Sequence, residues 1–170
     1  MLTQEQIAER VNYLGGSDAS ACLGLSRWKS QLQLWAEKTG QIESEDISQK
    51  ISVKLGNKLE DTVAELFTEE TGLEVERVEE TIVHPNYPFL RANIDRRVIG
   101  ENSILECKTC SARKSQEWQD EEIPQEYLIQ VHHYLMVTGA EIAYLAVLIG
   151  NEKFIWKIVE RDEHIIQQIL

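Results

Sequence analysis

The residues with chemical potential are Asp95 and, further on, Glu106, Cys107 and Lys108. In an extended strand, successive side chains alternate faces, so Glu106 and Lys108 share one face and Cys107 takes the other. Where the chain turns near Gly100-Glu101-Asn102 decides what lies across from them. A two-residue loop at Gly100-Glu101 puts Asp95 opposite Glu106, and one at Glu101-Asn102 puts it opposite Lys108. Both registers gather the three polar residues on one face, and only a one-residue slip separates them. Two carboxylates facing each other across a strand pair repel. A divalent cation between them removes that repulsion, and magnesium prefers one or two carboxylates plus waters and substrate phosphate. A lysine beside such a centre can orient or deprotonate a water, or stabilise developing charge on phosphate. This is chemistry suited to phosphodiester hydrolysis. Glu-X-Lys by itself is a common cross-face ion pair on exposed strands. The weight therefore rests on Asp95 at the right parity.

The elements that must position these groups are legible in outline. Residues 3–12 read as an amphipathic helix. Ser17-Asp18 reads as the cap of a second, short helix over 19–23. Ser30 opens a third, with Leu32, Leu34 and Trp35 as apolar anchors and Gly40 as its stop. The longest helix spans about 47–71, and Gly56 inside it implies a kink or a close neighbour. Val/Ile/Thr-rich segments at 73–83, 89–99 and 103–110 read as a meander of three strands. Residues 111–123 form a polar connection. A helix runs from Pro124 to Thr138, two more strands follow at 141–149 and 153–160, and a last helix begins near Arg161-Asp162. The order predicts an α/β (α+β) sandwich, a mixed central sheet of about five strands flanked by helices.

The chain has 170 residues, 42% of them hydrophobic, enough for one domain with a real core. We read 1–170 as a single domain. The last helix shows no stop signal, which suggests truncation at the C-terminus. The residues Met1 to Gln6 do not read as a signal peptide, and three cysteines (Cys22, Cys107, Cys110) suit a reduced, cytoplasmic setting. Seventeen basic residues against 29 acidic ones give a net charge of −12. A general electrostatic grip on nucleic acid is unfavourable at that charge, so any DNA contact requires a local cationic patch.

Several blocks, taken in order, resemble the YqaJ and lambda-exonuclease group within the PD-(D/E)XK nuclease superfamily. They are Leu14-Gly15-Gly16-Ser17-Asp18-Ala19, Leu34-Trp35-Ala36-Glu37-Lys38-Thr39-Gly40, Gly56-Asn57-Lys58-Leu59-Glu60, Asn93-Ile94-Asp95, Leu105-Glu106-Cys107-Lys108, Tyr127-Leu128-Ile129-Gln130-Val131-His132-His133-Tyr134 and Val159-Glu160-Arg161-Asp162-Glu163. Ile94 departs from the pattern, standing where the superfamily's name calls for proline. The resemblance implies a restriction-endonuclease-like core and a Mg²⁺-dependent exonuclease, with Mn²⁺ able to substitute. It implies that double-stranded DNA ends are digested 5′ to 3′, and that the 3′ strand left behind passes to an annealing protein of the RecT or Beta type. A ring-shaped trimer in a bacterial cell, prophage- or phage-encoded, is implied in the same way. By the same resemblance, Glu60, Asp95, Glu106 and the Cys107 carbonyl would hold metal, and Lys108 would be the catalytic lysine. Gln130 and Tyr134 match a Gln-X3-Tyr motif, one helical turn apart. Gln130 would reach a water or phosphate near the metals, and Tyr134 would steady the helix or stack against DNA. Arg10 and Ser17 match a 5′-phosphate pocket, a guanidinium fork beside a hydroxyl. Asn93 would also touch DNA.

Other readings of the same residues are an endonuclease, a Cas4-like end processor, and an inactive DNA-end or protein-binding module. Cys107-X-X-Cys110 lacks the remaining ligands of a zinc or iron–sulfur site. The adjacent His132 and His133 point about 100° apart on a helix and cannot chelate together. Trp35, Trp118 and Trp156 read as packing anchors. Trp28, flanked by Arg27 and Lys29, reads as a contact for an incoming DNA end, and Arg113-Lys114 as candidate phosphate contacts.

Overall fold

A computed structural model describes residues 9–119 and 122–170. Its centre is a five-stranded mixed sheet built from β1 (Val75–Arg77), β4 (Arg96–Val98), β5 (Ser103–Cys110), β6 (Ile142–Ile149) and β7 (Lys153–Glu160), in that spatial order. Only β5 and β6 run parallel, and the other neighbours are antiparallel. A parallel pair needs a crossover, which is supplied by α4 (Gln125–Thr138). A separate two-stranded ribbon pairs β2 (Ile82–Val83) with β3 (Arg91–Ala92). The remaining helices are α1 (Gly16–Cys22), α2 (Gln31–Lys38), α3 (Ile51–Thr71) and α5 (Glu163–Ile169), and 3-10 turns occur at Arg10–Asn12 and Ala112–Trp118.

Strand parity sorts the core into two layers. Ile104, Leu145, Val147 and Val159 pack with Val131 and Leu135 of α4 and Ile166 of α5. On the other face, Leu105, Tyr144 and Ala146 pack with Val63, Ala64 and Phe67 of α3. β6 is covered on both faces, which explains its unbroken apolar sequence Ile142-Ala-Tyr-Leu-Ala-Val-Leu-Ile149.

Several expectations need correction. The 73–83 strand is two short pieces, and the 89–99 strand is interrupted at 93–95, where the chain leaves the ribbon for the main sheet. The long helix begins at Ile51 rather than 47, and it is continuous through Gly56. A Cβ on Gly56 would touch Thr109 Oγ1 at 3.7 Å, so this glycine marks a close neighbour and not a kink. The short helix starts at Gly16 instead of 19, and Asp18 works from its third position, its Oδ2 accepting from Gly15 N–H at 3.1 Å. In α2, only Leu34 of the three anchors is buried, while Leu32 and Trp35 face outward. An eight-residue helix has room for one buried stripe, and Leu34 shares it with Glu37. Trp156 is also partly exposed, whereas Trp118 is buried as expected. Of the 3–12 helix, residues 3–8 lie outside those described, and 10–12 form a 3-10 turn.

Candidate active site

The β4–β5 turn settles the register. Gly100 adopts φ +86°, a left-handed conformation that favours glycine, and Arg96 pairs with Leu105 and Arg97 with Ile104. One step further puts Asp95 opposite Glu106, the first of the two registers. Asp95 lies just past the ladder, and its side chain continues the ladder in place of backbone. Asp95 Oδ2 accepts from the Cys107 N–H at 2.8 Å. This anchors one carboxylate to the strand that carries the other.

Glu106 and Lys108 project from β5 toward α4, and Cys107 projects toward α3, where it packs against that helix's core layer. The Glu106 side chain is only 5% exposed. Its Oε1 accepts from Lys108 Nζ at 2.5 Å and from Gln130 Nε2 at 2.9 Å. Gln130 Nε2 also donates to the Tyr134 hydroxyl at 2.8 Å, and Gln130 Oε1 accepts from Lys108 at 3.3 Å. Gln130 and Tyr134 are successive turns of the crossover helix, so α4 lays an ordered amide and phenol across the acidic face. Lys108 Nζ also sits 5.2 Å from the Tyr127 ring centroid, and that ring is stacked on Trp118.

The electrostatics of this face are unbalanced. Burial raises the Asp95 carboxyl well above its ordinary value, and Glu106 and Glu60 add to the rise against Lys108. Burial alone would lower Lys108, but Glu106 and Asp95 outweigh it and hold the ammonium above its ordinary value. Burial, followed by Glu106, raises the Tyr134 phenol well above its ordinary value, so it stays neutral. Glu106 Oε2 is buried and has no hydrogen-bond partner among the described residues. An unpaired buried carboxylate oxygen costs more than the 1–3 kcal/mol of a neutral group. A half-buried carboxylate at the cleft and a buried one with an open lone pair form a donor set that fits a hard oxygen-loving dication.

Glu60 is placed less simply. It approaches from α3, but its Oε1 accepts from Arg96 Nη1 at 2.7 Å. Arg96, with a side chain 5% exposed, also donates to the Asp95 carbonyl at 2.6 Å and to Asp61 at 2.5 Å. Arg77 joins the same cluster through Asp61, with Glu60 at 3.9 Å. Among the described residues, no three acidic, histidine or cysteine side chains converge on one ion position. The carboxylates of Asp95 and Glu106 accept from no arginine among those residues. Arg96, which follows Asp95 directly in the chain, was missed in the sequence. Its role depends on a helix some 35 residues earlier.

A cleft of about 370 Å³ adjoins these groups. Arg10, Ser17, Asn57, Glu60, Asn93, Asp95, Gln130 and Tyr134 line it, so the structure brings most of the candidate residues to one place. Arg10 donates through Nη2 to Ser17 Oγ. Lys38 clamps the approach, donating to the carbonyls of Arg10 (2.6 Å) and Tyr13 (2.7 Å) while paired with Asp18 at 2.8 Å. Asn93 is tied on both sides, accepting from Thr81 at 2.8 Å and donating to Tyr13 at 3.1 Å. Asn57 stood inside a recognised block, yet sequence reasoning gave it no role. Neither Glu106 nor Lys108 lines the cleft, and both are hydrogen-bonded to Gln130, which does.

Gly16 explains why α1 can lie so close to α4. A Cβ there would fall within 3.0 Å of Cε1, Cζ and Cδ1 of Tyr134, a buried ring held by its hydroxyl to Gln130. Gly16→Ala should therefore displace the ring, break its bond to Gln130 and cost about 1–3 kcal/mol. Thermal melting and DNA digestion would both report it. Tyr134→Leu in the Gly16→Ala background should restore the melting temperature without restoring activity.

The YqaJ-like viral recombinase domain model matches residues 7–141. The chain is 48% identical over 171 residues to the uncharacterized protein YqaJ of Bacillus subtilis (strain 168), covering 99% of this chain and 53% of that protein. It thus spans about half the length of that curated relative. The fold matches an alkaline exonuclease from Laribacter hongkongensis (TM-score 0.81, 20% identity, 98% of this chain and 87% of that one). It also matches a phage-related exonuclease from Haemophilus somnus 129PT (TM-score 0.69, 15% identity, 92% and 88%). These likenesses establish that the chain shares its fold with these two proteins. By the family model, the motif blocks and the two-carboxylate face together, this chain belongs to the YqaJ-like viral recombinase domain family.

Proposed function

We propose that this domain is a divalent-cation-dependent exonuclease that digests one strand of duplex DNA from its 5′ end. The observation that carries the reading is the Asp95–Glu106–Lys108 group, with Glu106 Oε2 buried and unpartnered beside a second carboxylate. The names of the structural relatives, an alkaline exonuclease and a phage-related exonuclease, point the same way. One of those structures is a complex with dAMP. Asp95, Glu106 and the Cys107 carbonyl would hold Mg²⁺ or Mn²⁺, with Glu60 in reserve behind Arg96, and the ion would supply an activated water and charge neutralisation on phosphate.

The chain's own residues divide the remaining work. Lys108, kept as an ammonium by its two carboxylate neighbours, is suited to stabilise charge on the scissile phosphate rather than to take a proton. Gln130, bonded to Glu106, Lys108 and Tyr134, fixes their relative positions and presents its amide to the cleft. Arg10 and Ser17 would take the terminal 5′-phosphate, since a guanidinium and a hydroxyl already in contact form a ready anion pocket. Because this pocket and Asp95 line one cleft, a strand held by its phosphorylated end would present its first linkages to the carboxylates. The resulting 3′ single strand suits an annealing protein of the RecT or Beta type in the bacterial cytoplasm. A ring-shaped homo-oligomer with cationic groups along its channel would reconcile a net charge of −12 with a DNA substrate.

End-labelled linear duplexes test this directly. With Mg²⁺ or Mn²⁺, label should leave 5′-phosphorylated ends first, 5′-hydroxyl ends should lag, and closed circles should stay intact. Arg10→Ala should lower the preference for phosphate by roughly 10- to 100-fold, the worth of a charge-assisted hydrogen bond of about 1.5–3 kcal/mol. Cutting of closed circles would make the domain an endonuclease. Absence of digestion with either metal would leave a binding module.

A further inference from the structure

One ammonium holds both walls of the Arg10–Ser17 pocket. Lys38 is the last residue of α2, where the helix dipole favours a cation. That local preference does not account for its reach, to carbonyls 25 and 28 residues earlier in the chain. An ammonium has three N–H bonds, and three oxygens surround this one. They are the carbonyls of Arg10 at 2.6 Å and Tyr13 at 2.7 Å, and Asp18 Oδ2 at 2.8 Å. Two belong to the turn that carries Arg10 and its C-cap, and the third to the helix that carries Ser17. With its side chain 18% exposed and its donors committed, Lys38 does not line the cleft. It reaches a ligand only through the groups it holds.

The same turn is tied to the carboxylate end of the cleft. The Tyr13 ring has Lys38 at 5.8 Å and Arg91 at 5.0 Å from its centroid, and its hydroxyl accepts from Asn93 Nδ2 at 3.1 Å. Asn93 stands two residues before Asp95, and both line the cleft. Asp18 Oδ2 also accepts from Gly15 N–H at 3.1 Å, so Lys38 and the start of α1 share one buried carboxylate. Removing the ammonium frees the Arg10 turn to move against Ser17 and against Asp95. A guanidinium and a hydroxyl grip one phosphate only at matched positions, and a displacement of about 1 Å can cost roughly 100-fold.

We propose that Lys38 is a positioning residue for 5′-phosphate recognition, setting the spacing of Arg10 and Ser17 and thereby the preference for phosphorylated ends. This rests on the pocket reading above and adds to it what fixes the pocket's selectivity. Lys38 contacts neither Asp95 nor Glu106, so its influence falls on the grip of the DNA end and not on the hydrolytic group. It acts through Arg10, and its effect vanishes where Arg10 is absent.

The test is digestion of linear duplexes with 5′-phosphate or 5′-hydroxyl ends in Mg²⁺, with kcat and KM measured for each. Two variants keep the fold in different ways, and melting curves check both. Lys38→Met/Asp18→Asn removes both charges together, which leaves no buried carboxylate unpaired. Lys38→Arg keeps a cation beside Asp18 but replaces the compact ammonium with a wider planar fork. In the double variant, KM for phosphorylated ends should rise roughly tenfold and KM for hydroxyl ends far less, with a smaller shift of the same sign in Lys38→Arg. Adding Arg10→Ala to the double variant should lower the phosphate preference no further than Arg10→Ala does alone. An equal rise in KM on both kinds of end, or a preference equal to the parent's, overturns the positioning role and leaves the pocket standing if Arg10→Ala still lowers the preference. A preference that Arg10→Ala leaves unmoved overturns the pocket and the role of Lys38 together.

Discussion

Asp95→Asn should abolish cation-dependent digestion, by roughly 10³-fold or more, while making the cation-free protein more resistant to heat at neutral pH. The activity loss follows from removing one of the two carboxylates proposed to hold the ion, where several kcal/mol of charge stabilisation would originate and each 1.36 kcal/mol is tenfold in rate. The gain in stability follows from burial. In the folded chain, desolvation and Glu106 hold the Asp95 pKa well above the ordinary 3.8. An acid raised in this way binds its proton more tightly folded than unfolded. Its stabilising effect is therefore complete below the unfolded value and is lost as pH climbs through the folded one. Above that raised value wild type carries an ionised, poorly solvated carboxylate. Asparagine removes the charge and still accepts from the Cys107 N–H. The difference in melting temperature should close as pH is lowered toward about 4. Mg²⁺ should raise the melting temperature of wild type and leave the variant unmoved. A variant that digests DNA at the parental rate would remove Asp95 from the chemistry.

Arg96→Met should be the most destabilising single change near the site. Its guanidinium reaches Glu60, Asp61 and the Asp95 carbonyl from a position almost closed to water. Taking one partner from a buried ionic cluster costs about 3–5 kcal/mol, since the remaining charges stay desolvated. For a chain of this size that corresponds to a fall of roughly 10 °C in melting temperature. Arg96→Lys should recover only part of it, because one ammonium cannot fork to two carboxylates and a carbonyl. Glu60, released from Arg96, gains access to the ion. Mg²⁺ should therefore stabilise the methionine variant by more degrees than wild type in paired melting curves. An equal or smaller shift would mean that Glu60 takes no part in ion binding.

What was legible in the sequence follows from what each feature depends on. Strand parity is local, so the shared face of Glu106 and Lys108 and the opposite facing of Cys107 were readable without coordinates. The register was readable only to two alternatives, because Gly100 could serve as the first or the preceding residue of the turn. Its left-handed conformation chose between them. The interruption at 93–95 was not readable, since Ala92, Ile94 and Arg96 keep an alternating burial even where the ladder stops. Outward-facing Leu32, Trp35, Ile51 and Leu55 repeat at helical spacing just as core residues do, and periodicity cannot tell which side a stripe faces. The capture of Glu60 by Arg96 and the pressure of Tyr134 on Gly16 join distant parts of the chain, and they emerged only once the helices were docked on the sheet.

The sorting of β5 by parity has an outcome for sulfur chemistry. Cys107 and Cys110 lie three residues apart on one strand and so project to opposite sides, which bars a bond between them. Burial pushes up all three thiols, and the neighbouring carboxylates Asp95 and Glu106 push Cys107 up further. Nucleophilic sulfur is thiolate, so none of the three is primed toward peroxide or alkylating agents at neutral pH. Cys107, set between Glu106 and Lys108, thus lends the strand its bulk, and the carboxylate pair beside it is insulated from redox traffic.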